Sequence, residues 1–211
     1  MSRGKVIRKC GRRQKALMAM TWLVFLVALN LVLGLIPIFP FQANREMEAS
    51  LEIGETEVIW KATEPSFDGY TYHLAINEDV AVFYKQRFFW KRGWTNGIVR
   101  LLPRNSQEPV VSKYRSVHYK DTHEVEFMGC VNSDQVASIE YYFEWEDGTV
   151  KIIEIREESY IYHGDERYYL QVEDGEIMYH PTRGMDLYPR ERALRARDAA
   201  GNIIYEDETG Y

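Results

Sequence analysis

The stretch SIEYYFEWE, residues 138–146, alternates apolar or aromatic side chains with mostly acidic ones. Its apolar and aromatic members occupy every second position: Ile139, Tyr141, Phe143 and Trp145. Successive side chains of a β-strand point to opposite faces, so this period of two predicts a strand with one buried face and one solvated face. The chain is also rich in tyrosine, with 15 residues, and tyrosine favours strands.

Tight-turn dipeptides divide the chain around this strand into further short extended runs. Three of them stand between two strand-like runs: Asn96-Gly97, Asp147-Gly148 and Asp174-Gly175. Both dipeptide types supply the positive φ angles that two-residue hairpin turns need. Other predicted strands are residues 56–63, 70–76 and 79–85, and a last hairpin joins residues 193–197 to 203–206. We therefore predict a mostly β domain with an antiparallel, sandwich-like sheet arrangement, with an open barrel as the alternative.

An apolar run precedes the β-rich part. Residues 16–44 carry no charge, and residues 16–36 would form a helix of about 31 Å, close to the thickness of a bilayer core. Seven Lys and Arg residues come before the run, which predicts a cytoplasmic N-terminus. A cleavable signal peptide is the alternative, but its apolar core has only about 7–15 residues. The longer run favours an uncleaved anchor.

The chain thus divides into four predicted parts. These are a basic cytoplasmic tail (1–15), a transmembrane signal anchor (16–39), a short juxtamembrane helix and linker (40–55, with the helix at 45–51) and a β-rich extracytoplasmic domain (56–211). Removing the seven basic residues of the tail from the total of 26 leaves 19 against 32 acidic residues, a charge of −13. A domain this acidic repels phosphates, so we expect no nucleic acid partner.

Motifs that carry chemistry are missing from the sequence. It has no metal-ligand spacing, nucleophile elbow or phosphate loop, so we expect no catalytic residue, no metal and no cofactor. His118 and His123 are five positions apart, which on a single strand would place them on opposite faces. Glu124 and Glu126 would lie about 7 Å apart on one strand face, but alternating acidic residues are typical of a solvated face. The predicted site of Cys130 is a buried, inert position in a strand.

The stretch FFWKRGW, residues 88–94, is the most distinctive local feature. We predict binding residues here: Trp90, Lys91, Arg92 and Trp94. The two indoles could stack on sugar rings or contact lipid headgroups beside the anchor. The alternative is that the aromatic side chains fill the core while the basic pair faces water.

Three short pieces of the outer domain resemble a known group of proteins. They are VAVFYK (80–85) with FWKRGW (89–94), VEFMGCV (125–131) with VASI (136–139), and LRARD (194–198) with GNIIY (201–205). The group consists of uncharacterised small membrane-anchored extracytoplasmic proteins of Gram-positive bacteria. The resemblance implies an N-terminal anchor and one β-rich domain, and it implies no catalytic residues. This chain lacks the cysteine that follows the apolar run in lipoprotein members of the group.

These observations predict a single-pass protein of the cell membrane, with its N-terminus in the cytoplasm and its C-terminal domain outside. Its expected partners are the lipid bilayer and an envelope protein or glycan. The expected function is that of a non-enzymatic binding or interaction domain at the cell envelope. An envelope-glycan-binding module that uses exposed Trp and Tyr is one alternative, and a cell-envelope hydrolase is another.

Overall fold

The computed structural model describes residues 11–33, 36–62, 70–89, 92–104, 106–119, 122–179, 189 and 191–207. Among them are two α-helices, α1 (Arg12–Leu33) and α2 (Pro40–Ser50). Helix α1 is 22 residues long, and none of its side chains is buried against the rest of the protein. Over the described residues, it is the one helix long and apolar enough to cross a membrane.

Polar side chains fix the backbone between the two helices. Asn30, near the end of α1, donates from Nδ2 to the carbonyl oxygen of Ile36 (2.7 Å) and accepts at Oδ1 from its N–H (3.1 Å). Gln42 accepts at Oε1 from the N–H groups of Ile38 and Phe39, at 2.8 and 2.9 Å. The connection is therefore held by side chains at both ends.

Helix α2 begins earlier than the predicted helix of residues 45–51. Pro40 occupies its first position, where the missing N–H costs nothing because that amide has no partner inside the helix. The Gln42 side chain accepts hydrogen bonds from the two backbone amides just before the helix, those of Ile38 and Phe39. The prediction overlooked this start because the sequence offers no Ser, Thr, Asp or Asn as a capping residue there.

About half of the described residues form twelve strands, in three antiparallel sheets of four strands each. Sheet A has the order β1-β2-β3-β4, with β1 (Glu57–Ala62), β2 (Thr71–Ile76), β3 (Val80–Phe89) and β4 (Gly93–Pro103). Sheet B has the order β5-β6-β10-β9, with β5 (Val110–Tyr119), β6 (Thr122–Val131), β9 (Tyr160–His163) and β10 (Glu166–Asp174). Sheet C has the order β12-β11-β7-β8, with β7 (Ser138–Glu144), β8 (Val150–Glu154), β11 (Glu191–Arg197) and β12 (Ile203–Asp207).

Strand β7 confirms the alternation that predicted it. Ile139, Tyr141 and Phe143 are buried, whereas the residues between them are partly exposed. The Asp147-Gly148 turn joins β7 to β8, and Gly148 has the left-handed φ of 78° that the turn requires. The predicted C-terminal hairpin is confirmed by the pairing of β11 with β12.

Two of the predicted hairpin turns are wrong. Asn96-Gly97 lies inside β4, and the chain reverses earlier, between Phe89 at the end of β3 and Gly93 at the start of β4. Asp174-Gly175 leads into a 3₁₀ helix, Gly175–Met178, because the Asp174 carboxylate accepts from the N–H of Glu176 (2.9 Å). The strands that pair with β10 are β6, over Arg167–Asp174, and β9, over Glu166–Tyr169, and both precede β10 in the chain.

Three clusters of buried side chains join the layers. The first lies between sheets B and C, the second between sheets A and B, and the third between sheet A and α2. Strand β6 contributes to two of them: Val125 and Phe127 to the first, Met128 and Cys130 to the second. Sheet B is therefore buried on both faces, and β6 is buried without interruption from Glu124 to Val131.

Cys130 lies inside the second cluster. Its side chain is buried, its Sγ is 3.1 Å from the Asn132 Oδ1, and burial raises the pKa of its thiol to about 11. A thiol with this pKa is protonated at neutral pH and reacts slowly. The position matches the inert buried thiol expected from the sequence.

Gly129 makes room in β6 for the ring of Tyr169, its partner on β10. A Cβ atom at this position would lie 2.4 Å from three atoms of that phenol. The Tyr169 hydroxyl is also held, since it donates to Ser112 Oγ (2.8 Å) and lies 3.0 Å from the Tyr141 hydroxyl. The ring therefore cannot move aside without breaking buried hydrogen bonds.

We predict that Gly129→Ala lowers the free energy of unfolding by about 1–3 kcal/mol, the usual cost of overpacking a core. Gly54→Ala is the matched control, because its Cβ would meet only Asn77 Nδ2 at an ordinary 3.6 Å. Chemical denaturation of the two variants, followed by near-ultraviolet circular dichroism, measures the difference. Equal stability of the two variants would contradict the packing described for Tyr169.

Candidate functional site

The β3–β4 hairpin ends against the connection between the two helices. The N–H of Trp94 donates to the carbonyl oxygen of Pro37 (2.8 Å). Gly93 has a φ of 73°, and a Cβ at this position would lie 2.2 Å from that oxygen and 2.8 Å from the Ile36 Cγ2. Glycine is thus required here both for its backbone conformation and for the close approach.

A buried network of side-chain amides holds α2 against the β3–β4 hairpin. Gln86 has no exposed surface, and its Nε2 donates to the side-chain oxygens of Asn96 (2.6 Å) and Asn44. Asn96 donates in turn to the carbonyl oxygen of Ala43 (2.8 Å). Asn96, expected in a turn, is therefore used as a tertiary contact, and the register of β3 and β4 shifts at this point.

Glu48 fixes the other end of α2. Its carboxylate is buried, accepts from the backbone N–H of Thr56 (3.0 Å) and forms an ion pair with Arg45 (2.8 Å). The Tyr84 hydroxyl lies 3.5 Å from the same carboxylate, and its pKa is raised to about 12, mainly by burial. Helix α2 is therefore attached to sheet A at both ends by buried polar contacts.

Exposed aromatic side chains gather where the hairpin meets the linker. Phe39 and Phe41 stack with ring centroids 5.7 Å apart, and both are exposed. Phe88 is 46% exposed and packs edge-on against Trp94, also at 5.7 Å. Phe89 is exposed as well. We call these five residues the aromatic end of the domain.

Basic groups accompany the aromatic end. The Arg87 guanidinium lies over the Phe89 ring, 5.4 Å from its centroid, and Arg92 is exposed. A cleft of ≈ 270 Å³ lies between α2 and the hairpin, with Arg92, Trp94 and Glu46 among its lining residues. One end of the molecule therefore combines exposed aromatic rings, guanidinium groups and a small cleft.

The predicted binding residues fall in this region. Trp94 is half-buried and Arg92 is exposed at the mouth of the cleft, whereas Trp90 and Lys91 lie outside the described residues. The structure adds Phe39, Phe41 and Arg87, which the sequence reasoning missed. The signal for the two phenylalanines was their position directly after the apolar run, where aromatic residues are typical of a membrane interface.

A second polar cluster is buried between sheets A and B. Lys85 of β3 extends its Nζ to Oε2 of Glu124 (2.6 Å) and Oε1 of Glu126 (2.7 Å), both on β6. The side chains of the three residues are 3%, 2% and 0% exposed. The Tyr72 hydroxyl donates to the same Oε1 of Glu126 (2.8 Å). The two glutamates do share a strand face, but this face is in the interior and not in solvent.

Opposing influences act on the charges of this cluster. Burial lowers the pKa of Lys85, but the charges and hydrogen bonds of Glu126 and Glu124 outweigh it and raise the pKa overall. The rings of Tyr70 and Tyr72 lie 5.1 and 5.2 Å from the Lys85 Nζ, in the range of cation–π contacts. Lys85 is therefore held as an ammonium by two carboxylates and two aromatic rings.

A chain of hydrogen bonds joins β5, β6 and the 3₁₀ helix after β10. Ser116 Oγ lies 2.6 Å from His123 Nε2, and His123 Nδ1 lies 2.7 Å from the Tyr179 hydroxyl. Hydrolytic triads have a carboxylate in the third position, whose charge stabilises the imidazolium. Among the contacts described, the third position of this chain of bonds is held by a phenol.

The structure also corrects the prediction for His118 and His123. They lie on separate strands, and their Cα atoms are direct partners across the β5–β6 hairpin. The five-residue spacing includes the turn between the strands, so counting along one strand was wrong. Among the described residues, no group of three His, Cys, Asp or Glu side chains could hold a metal ion. His73 is buried, and burial together with the nearby charge of Lys61 lowers its pKa to about 4.

Comparisons of the chain with protein-family models, with curated proteins and with solved structures find no match. The resemblance to Gram-positive extracytoplasmic proteins therefore stays a prediction.

We predict that Gly93→Ala detaches the hairpin from the linker. It should lower the midpoint of thermal unfolding and speed chymotrypsin cleavage after the exposed Phe41, since Pro40 protects the bond after Phe39. The control is Gly148→Ala, which has nearly the same φ, 78° against 73°, but nothing within 4 Å of its Cβ. In both variants the left-handed backbone lowers the free energy of unfolding by about 1 kcal/mol. The clash with Pro37 occurs only in Gly93→Ala, so this variant should be the less stable of the two. Equal effects of the two substitutions would show that the contact does not hold the hairpin.

Proposed function

We propose that this chain is a single-pass membrane protein whose sandwich-like β-rich domain lies outside the cell. Helix α1 supplies an apolar segment of sufficient length, and its first turn contains Arg12, Arg13 and Lys15. The excess of Lys and Arg before an apolar span keeps that end in the cytoplasm. On this topology, α2 and the three sheets are on the outer side, tethered to the cell membrane.

We infer that the domain functions as a non-enzymatic binding domain that lies against the outer membrane surface through its aromatic end. The observation that carries this proposal is the contact of Gly93 and Trp94 with Pro37, four residues after α1 ends. A hairpin docked on the exit of a membrane helix lies at the level of the headgroups. Aromatic rings are enriched at that level, and arginine can place its aliphatic stem among apolar groups while its charge stays in water.

Charge supports the same orientation. The part of the chain after the basic tail has a formal charge of −13, so an anionic membrane surface repels most of it. Arg87 and Arg92 are the basic exceptions at the aromatic end, and each basic residue near an anionic surface contributes about 1 kcal/mol of attraction. Repulsion of the acidic body and attraction of this end would both favour one orientation. The remaining surface is then free for an envelope protein or glycan.

Glycan binding through Trp90 and Trp94 is the second candidate. Trp94 is its described member, and the indole packs against Phe88 and is half-buried. A sugar-stacking platform needs an open ring face, so this packing favours the lipid-surface interpretation. Hydrolysis is the third candidate, and the Ser116–His123–Tyr179 arrangement is its nearest counterpart among the described residues.

The anchor is tested by fractionation. A C-terminal tag on the full chain should stay with the membrane fraction after high-salt and alkaline washes and should be removed by protease added to spheroplasts. Protection from protease would contradict the outward orientation. Recovery of the tag in the medium at reduced mass would show that the apolar segment is cleaved.

The orientation of the domain is tested with a fluorophore on a cysteine at position 88. Phe88→Cys is made in a Cys10→Ser chain, where the buried Cys130 should not react, and Val150→Cys is the control. Residues 88 and 150 are 46% and 44% exposed, but Val150 belongs to sheet C, which shares no core cluster with the hairpin. In vesicles with a headgroup quencher, the label at 88 should be quenched and the label at 150 should not. Equal quenching at both positions would overturn the proposed orientation.

A further inference from the structure

The buried cluster of Lys85, Glu124 and Glu126 places an amine beside two carboxyl groups in the absence of solvent. The Nζ is within 2.7 Å of one oxygen on each glutamate, and no side chain of the three is more than 3% exposed. Lys85 comes from sheet A and both glutamates from sheet B. Any covalent link formed here would join the two sheets, whichever way the domain faces the membrane.

We propose that Lys85 and Glu124 condense into an intramolecular amide bond and that Glu126 transfers the protons. The reacting groups begin as an ammonium and a carboxylate. Glu126 accepts one proton from the Lys85 Nζ, and the neutral amine attacks Cδ of Glu124. As the N–C bond forms and one C–O bond of Glu124 breaks, the departing oxygen receives that proton back from Glu126 and a second proton directly from the nitrogen, which keeps its last hydrogen as the amide N–H.

The step is balanced without a co-reactant. An ammonium and a carboxylate become an amide and one molecule of water, the net charge is unchanged, and Glu126 returns to its starting carboxylate. No oxidation or reduction takes place. The only product that leaves is water, which the fold must release from between the two sheets.

The roles of the two glutamates follow from their hydrogen bonds. Oε1 of Glu126 accepts from both Lys85 and Tyr72, whereas its Oε2 is fully buried and has no hydrogen-bond partner among the described residues. An oxygen that accepts no hydrogen bond keeps its lone pairs open to a proton. Glu126 is therefore suited to shuttle protons, and Glu124 is the carboxyl group left for attack.

The surroundings favour condensation over the open ion pair. Fixed reacting groups reach effective concentrations of about 10⁵–10⁸ M, and the fold fixes the lysine here between two tyrosine rings. Burying an ammonium and a carboxylate carries a large desolvation cost, which a neutral amide avoids. Exclusion of water also slows hydrolysis, the reverse reaction. The raised pKa of Lys85 opposes the first proton transfer, so the bond should form over the time of folding and maturation.

The experiment is the intact mass of the purified full chain, measured under denaturing conditions. We expect the wild-type mass to be lower than the sequence mass by one water molecule. Lys85→Arg keeps the positive charge but cannot form the amide, so it should show its full sequence mass. This variant also controls for water lost elsewhere, such as at the Asp-Gly pairs, because such losses would persist in it.

Two further measurements assign the roles. Proteolytic peptides of the wild-type chain should include one species in which the peptide of Lys85 is joined to the peptide of Glu124, with fragment ions locating the bond. Glu126→Gln keeps the shape of the side chain, but its amide cannot accept and return a proton as the carboxylate does. Most molecules of this variant should therefore have the full sequence mass, without the loss of water. A wild-type chain at full sequence mass would overturn the proposal. A bond to Glu126 would overturn the assigned roles.

Discussion

Strand β6 has no solvated side from Glu124 to Val131, and this double burial limits what the neighbouring strands can contain. One face packs with sheet C and the other with sheet A, so each β6 side chain must match a layer above or below it. Gly129 is where this constraint is tightest, because the Tyr169 ring fills the space of its missing side chain. A central strand covered on both sides also explains why three small sheets form one continuous interior.

The same constraint gives the charged residues of β6 their significance. Two carboxylates on a doubly buried strand cost a great deal of free energy unless opposite charge and donors reach them. Lys85 and Tyr72 of sheet A provide both, so the polar cluster also sets how sheet A sits on sheet B. Removing one member of such a set leaves an uncompensated buried charge. A neutral link between Lys85 and Glu124 would remove two of the three buried charges and keep the sheets together, with the Glu126 carboxylate still hydrogen-bonded by Tyr72.

The features that the sequence predicted correctly depend on near neighbours in the chain, and those that it missed depend on distant ones. The alternation in β7 and the Asp147-Gly148 turn are local, and both are confirmed. Asn96 was misread as a turn residue because its role depends on Gln86 and Ala43, and the latter is 53 positions away. The Lys85 cluster spans 39 and 41 positions along the chain. No local pattern distinguishes those glutamates from the acidic residues of a solvated strand face.

The connection between α1 and the β-rich domain is the last element whose interpretation the structure changes. A flexible linker would let a tethered domain sample many orientations and would only raise its concentration near the membrane. Here Asn30 closes the end of α1, Gln42 closes the start of α2, and Trp94 is bonded to Pro37 between them. Gln86 also holds α2 on sheet A, so the described part of the connection is bonded at its start, in its middle and at its end. If α1 is an anchor, as we propose, such a connection determines which face the domain turns outward, as well as how near the membrane it stays.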